Sequence, residues 1–109
     1  MLEIVLGSAS AEKVLIFLLV REKGYANEIT SFYNTDLSPI QNQMKKFEDG
    51  GVLVSFLEGR TRIYQFNPTY AFLPELKALL SKAFQFYSPG EIESLKMYRR
   101  RPRRTGKPL

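Results

Sequence analysis

Along the chain, apolar and polar positions alternate with changing period, and each period predicts an element. Over residues 11–23, Val14, Leu15, Leu18 and Leu19 recur at helical spacing, and Ile16, Phe17 and Val20 fill the gaps between them. That is the pattern of a helix buried on nearly every side. Ser8 or Ser10 is placed to serve as its N-cap and Gly24 as its stop. Residues 26–33 give a second, shorter helix, with Ile29, Phe32 and Tyr33 to one side and Asn27, Glu28 and Ser31 to the other. Asn34-Thr35-Asp36 closes it with turn chemistry.

Ser38-Pro39-Ile40-Gln41 is the most specific local signal. It predicts a serine N-cap, a proline at the first helical position and a glutamine reaching back from the third. Ile40, Met44 and Phe47 then recur at i, i+4 and i+7, which turns Gln41, Asn42 and Lys45 to the opposite side. Gly50-Gly51 ends this helix. Residues 52–57 and 62–66 are β-branched, aromatic or aliphatic, and Glu58-Gly59-Arg60-Thr61 joins them as a hairpin with a basic tip. Asn67-Pro68 breaks the hairpin, and a helix over 71–87 follows with Leu73, Leu76, Leu79, Leu80 and Phe84 as an apolar stripe. Pro74 falls early enough to be tolerated. Ser88-Pro89-Gly90 interrupts, residues 91–100 form a last short helix, and Pro102, Gly106 and Pro108 leave the end unstructured. The expected fold is mainly α with a small β-hairpin: a unit over residues 1–87 and a C-terminal helical extension over 88–109.

Length bounds the function. A chain of 109 residues corresponds to about one domain. With neither cysteine nor histidine, it has no disulfide, no thiolate or imidazole metal site, no cysteine nucleophile and no histidine base. Catalysis becomes a minority reading, and nothing calls for a cofactor or a metal. The net charge of +5 sits at one end: residues 98–109 hold six basic groups and no acid, whereas residues 1–97 hold ten basic and eleven acidic groups, net −1. An anionic partner for the folded part must therefore be argued from where its charges stand. The longest apolar run, residues 14–20, is far short of the roughly 18 needed to cross a bilayer. The first six residues lack the basic flank of a signal peptide, so no membrane partner and a cytoplasmic location are expected.

Two helices joined by a short turn form a helix-turn-helix, in which the first braces the second for entry into a major groove. On the second helix, the amides of Gln41 and Asn42 suit the N6 and N7 edge of adenine. Lys45 suits guanine or a phosphate, and Ser38 with the helix N-terminus suits a backbone phosphate. Arg60 and Arg62, one residue apart and so expected on one strand face, are candidates for phosphate or minor-groove contact at the hairpin tip. The tail residues Arg99, Arg100, Arg101, Arg103 and Arg104 are candidates for a sequence-independent arm on DNA, and equally for RNA or an acidic protein.

These residues carry a resemblance. The stretch 37–53, followed by Gly59-Arg60 and Tyr64-Gln65-Phe66-Asn67-Pro68, resembles the winged helix-turn-helix regulators of the ArsR/MarR type. Phe47 takes the leucine place in the family's exit from the reading helix. The start Leu6-Gly7-Ser8 and the region 73–80 are also similar to a subgroup sometimes joined to a nucleotidyltransferase domain, which does not fit in 109 residues. The resemblance covers about residues 4–86 and implies sequence-specific binding of double-stranded DNA by a homodimer. Ser38, Pro39, Gln41, Asn42 and Lys45 would lie on the DNA-facing helix, and Arg60 and Arg62 on the wing. With no sensor or activation domain visible, repression of transcription by occlusion is the expected output. Lacking Cys and His, the chain is not expected to sense metals. Whether a small-molecule effector exists is left open.

The leucine stripe exceeds what so small a core covers, which makes Leu73, Leu76, Leu80 and Phe84, shared with residues 1–6, the expected dimer interface. The alternative function is a winged-helix protein-interaction module without specific DNA binding, docking through its aromatic and leucine surfaces. An enzyme comes third, resting on scattered acids such as Glu91 and Glu93.

Overall fold

The computed structural model describes residues 1–97. Within them lie α1 (Glu3–Leu6), α2 (Ala9–Arg21), β1 (Lys23–Gly24), α3 (Ala26–Tyr33), α4 (Leu37–Asp49), β2 (Leu53–Glu58), β3 (Thr61–Phe66), α5 (Leu73–Gln85) and α6 (Pro89–Met97). The architecture is mainly helical with one small antiparallel sheet of order β1-β3-β2. No helix among the described residues is long and apolar enough to cross a membrane.

Everything is built on α2. The Ser8 hydroxyl accepts the Ala11 N–H at 3.1 Å and caps its start. Its apolar run is buried all round, with Val14, Leu15, Ile16, Phe17 and Leu18 sealed from solvent. Each of the other helices packs against it. Each of these large side chains contributes about 1.5–3 kcal/mol by leaving water.

The helix ends earlier than its apolar period suggests, and Gly24 is not its stop. Glu22 turns the chain at φ 76°, and Lys23 and Gly24 then pair with Gln65 and Tyr64 of β3. Gly24 is required for close approach instead: a Cβ there would stand 2.8 Å from a ring carbon of Phe17. The third helix, α3, spans the residues expected of it, and Asn34 closes it in the left-handed region at φ 53°.

The capping box expected at Ser38 does not form. The helix starts at Leu37, because Asp36 already holds the extended N-cap geometry at φ −78° and ψ 149°, and no side-chain cap bond is made. Ser38 is therefore in the first turn rather than before it. Pro39 becomes the third helical residue, still among the four whose N–H has no intrahelical acceptor, so it costs the helix no bond. Ile40 and Met44 are fully buried beneath α4 and Phe47 is half-buried, as their spacing predicts.

β2 and β3 pair from Leu53↔Phe66 to Glu58↔Thr61. Their two-residue loop has Gly59 at φ 66°, a position that favours glycine in tight hairpins. At the hairpin base, the Asn67 side chain donates to the Gly51 carbonyl at 2.9 Å.

Residues 89–97 are not an appendage. Leu95 is buried in the common core, and the Arg21 guanidinium donates from Nε to the Leu95 carbonyl at 3.1 Å and from Nη2 to that of Ser94 at 3.3 Å. That cation lies at the negative end of α6 and over the rings of Phe17 and Phe32, 4.6 and 4.7 Å from their centroids. The buried Glu12 ties the N-terminal segment to the α5–α6 connection. Its carboxylate accepts the Leu2 N–H at 2.7 Å, the Met1 ammonium at 3.1 Å and the Tyr87 hydroxyl at 2.5 Å. Burial pushes the Glu12 carboxyl up, but these donors outweigh it and hold the group below the ordinary range.

Candidate nucleic-acid interface

With Ile40 and Met44 turned inward, α4 presents Ser38, Pro39, Gln41, Asn42, Lys45 and Lys46 to solvent. Ser38, Gln41, Asn42, Lys45 and Asp49 fall at i, i+3, i+4, i+7 and i+11, which makes one continuous polar stripe. Lys45 and Asp49 approach to 3.4 Å, an exposed pair that fixes neither side chain strongly. Gln43 is different: its carboxamide oxygen is buried without a partner among the described residues, so it does not belong to the outward stripe.

Lys46, exposed on α4, borders this surface although no local pattern marks it. Its Nζ lies 3.8 Å from where a Cβ on Gly7 would stand, which places a second cation beside the turn between α1 and α2. Only the fold brings residues 7 and 46 together.

The two hairpin arginines do not share a strand face. Arg60 lies in the loop, exposed, because the return strand starts at Thr61. Arg62 lies in β3 opposite Leu57, and its Nη1 donates to the Ser55 hydroxyl at 2.9 Å. The Ser55 hydroxyl in turn donates to the Glu48 carboxylate at 2.6 Å. Arg62 thus braces the hairpin against the last turn of α4, while Arg60 is the guanidinium at the tip. Tyr64, cross-strand from Ser55, carries a phenol pushed up by burial and then by the Glu48 charge, so it stays a neutral donor. Leu57 is exposed on the same end of the hairpin.

Across this face Lys45, Lys46, Arg60 and Arg62 stand against Glu48, Asp49 and Glu58. Long-range attraction to phosphate is therefore modest, and the chemistry on offer is amide hydrogen bonding flanked by cations. Arg99, Arg100, Arg101, Arg103 and Arg104 lie outside the described residues.

For the stripe on α5, Leu80 is buried within the chain's own core, and Leu73, Leu76 and Phe84 are half-buried against it. A core needs one face of a helix, and these four positions supply it. The apolar groups that α5 and its flanking residues leave exposed are Phe72, Leu79 and Phe86. No protein-family model, curated protein or solved structure matches the chain.

Proposed function

We propose that α2 through β3 form a winged helix-turn-helix and that the chain is a sequence-specific regulator of transcription. It binds double-stranded DNA as a homodimer and represses by occlusion. The element order helix, strand, helix, helix, strand, strand supports this reading, with α3 and α4 joined by only three residues. One observation carries it: α4 buries Ile40 and Met44 and holds Ser38, Gln41, Asn42 and Lys45 outward in one stripe, beside a hairpin whose tip is Arg60.

In this mechanism α4 enters the major groove. Gln41 and Asn42 donate to and accept from base edges, and Lys45 contacts guanine or phosphate. Ser38 and the start of α4 hold a backbone phosphate. Arg60 reaches the neighbouring backbone or minor groove, with Arg62 keeping the hairpin at its angle to α4. Two copies place two such helices in successive major grooves about 34 Å apart.

The test is the double variant Gln41→Ala, Asn42→Ala. Each bidentate amide contact is worth about 1–3 kcal/mol of discrimination, so loss of both should lower preference for the specific site over random DNA by at least about thirtyfold. Salt-sensitive nonspecific binding should stay. Full discrimination by the double variant would remove α4 from the role of reader. Loss of residues 99–109 should keep the specific motif and lower the slope of log K against log salt by about 5.

A further inference from the structure

Two cavities adjoin where α3 approaches the start of α6, and Tyr33, Tyr87 and Glu91 line both of them. One, of about 320 Å³, also has Glu3, Glu12, Lys13 and the Met1 residue in its walls. Its charges are already matched. Glu12 takes the Leu2 N–H, the Met1 ammonium and the Tyr87 hydroxyl, Glu3 pairs with the same ammonium, and Lys13 Nζ stands 5.8 Å from the centre of the Tyr33 ring. The other, of about 470 Å³, lies between α3 and α6 and is walled by Phe32, Tyr33 and Tyr87, with Ser88, Ser94 and Leu95. Among the described residues, Glu91 is the one charged group in that lining. Its volume is within the range of about 300–1,000 Å³ of small-molecule sites.

Two groups in this second cleft have bonding capacity to spare. The Tyr33 hydroxyl is shielded from solvent and has no hydrogen-bond partner among the described residues. Burial above all pushes its phenol up, and the Arg21 charge opposes this only in part, so the group stays neutral and can both donate and accept. Glu91 uses Oε1 to accept the Ser88 N–H at 3.0 Å, which closes the first turn of α6 and leaves Oε2 for a ligand. The Arg21 guanidinium, over the Phe32 ring, is committed to the Leu95 and Ser94 carbonyls. A carboxylate or phosphate ligand would therefore meet Glu91 with no cation in the lining to offset it. A cation would meet a carboxylate among three aromatic side chains.

We propose that this cleft binds a small aromatic cation, an aryl amidine or arylalkyl amine. Its ring lies among Phe32, Tyr33 and Tyr87, and its N–H groups donate to the Tyr33 hydroxyl and the Glu91 carboxylate. The ring follows from the walls, and the positive charge follows from Glu91. Most of the lining comes from residues 87–95, outside the stretch 4–86 that carries the winged-helix resemblance, so α6 is what builds the site. Neither α4 nor the hairpin supplies a wall, and the inference stands apart from the DNA reading.

Benzamidine is the probe, with benzoate and methylammonium as controls that keep only the ring or only the cation. In heteronuclear NMR of the full chain, millimolar benzamidine should move amide signals clustered at residues 32–33 and 87–95, and neither control should. Glu91→Gln keeps an acceptor for the Ser88 N–H and so keeps the start of α6, yet should weaken benzamidine about tenfold or more. Tyr33→Phe should weaken it about threefold or more and, because the lost hydroxyl has no partner, leave the thermal midpoint of the free chain unchanged or raised. Gly90 lines the cleft and a Cβ there meets no atom within 4 Å, so Gly90→Leu should fold normally, narrow the cleft and lose the ligand.

Benzamidine that moves no signal in the cleft would overturn the inference, as would benzoate that binds equally well or a Glu91→Gln chain of unchanged affinity. A Tyr33→Phe chain that unfolds more easily without ligand would show the hydroxyl to be spent inside the fold, and would overturn its part in the site. The DNA reading fails separately, through retained discrimination in the Gln41, Asn42 double variant.

Discussion

Two helices of equal length divide the labour of this chain. Both α2 and α4 have thirteen residues, but α2 buries nine of them and α4 two. The apolar run of α2 leaves no side of the helix for solvent, so its residues are explained by the fold alone. In α4 the core needs only Ile40 and Met44, with Phe47 beside them, and the rest of the helix is released from packing. One helix holds the shape of the fold, and the outward side of the other is left free of packing demands. The comparison predicts that substitutions in α2 change stability and leave recognition to follow, whereas outward substitutions in α4 change recognition at constant stability.

The largest effect should come from Phe17→Ala. It removes a ring that is fully buried, that packs edge-on against Phe32 at 5.7 Å between centroids, and that supports the Arg21 guanidinium. A loss of about 3–5 kcal/mol is expected, visible as a collapsed thermal transition in circular dichroism. Next is Gly24→Ala, whose new methyl would press on the same ring from β1. Overpacking should cost about 1–3 kcal/mol in denaturant unfolding. An unchanged midpoint would mean that Phe17 has room to move.

Glu12→Gln comes third. Because the folded-state carboxyl is held below its ordinary value of 4.5, its contribution is complete above that pH and lost as pH falls through the depressed value. The wild type should lose stability below about pH 4.5 relative to the variant, and at pH 7 the variant should be about 1–2 kcal/mol less stable. Parallel pH profiles for the two proteins would show that the charge on Glu12 is not what holds Leu2, Met1 and Tyr87 together.

At the small end, Lys45→Ala and Arg60→Ala should leave the unfolding midpoint within about 0.5 kcal/mol. Either one, if its side chain contacts a phosphate, should lower the salt slope of DNA binding by about one. A substitution in α4 that destabilised the chain as much as Phe17→Ala would break the contrast between the two helices.

Much of this division is legible in the sequence, because it follows from period. The seven apolar residues 14–20 announce a buried helix, and Ile40, Met44 and Phe47 orient α4 correctly, which is why Gln41, Asn42 and Lys45 are found outward. The hairpin is read to within a residue because its glycine loop is strongly local. What escapes is set by partners distant in the chain. β1 is two residues long and exists only because β3 pairs with it, so Gly24 reads as a helix stop when it is a packing contact with Phe17. Asp36 and Ser38 are both acceptable N-caps, and local chemistry does not choose between them.

On α5 the apolar positions form two overlapping lines, one through Leu73, Leu76, Leu80 and Phe84 and one through Phe72, Leu79 and Phe86. A helical period identifies both without saying which one the core takes. Arg21 reaches carbonyls more than seventy residues away, so the anchoring of α6 leaves no trace in local pattern. Lys46 joins the candidate interface for the same reason, through a neighbour at Gly7.

The most direct test of the central claim, that α4 reads DNA, is selection of binding fragments from a random double-stranded pool by the full chain at about 150 mM salt, where nonspecific attraction is already weak. A reading α4 recovers a motif of two inverted half-sites, centred about 10–10.5 base pairs apart, that disappears when Gln41 and Asn42 are both alanine. Recovery of no motif, with retention that fades as salt rises, would contradict it and leave α4 as a polar surface without a reading function.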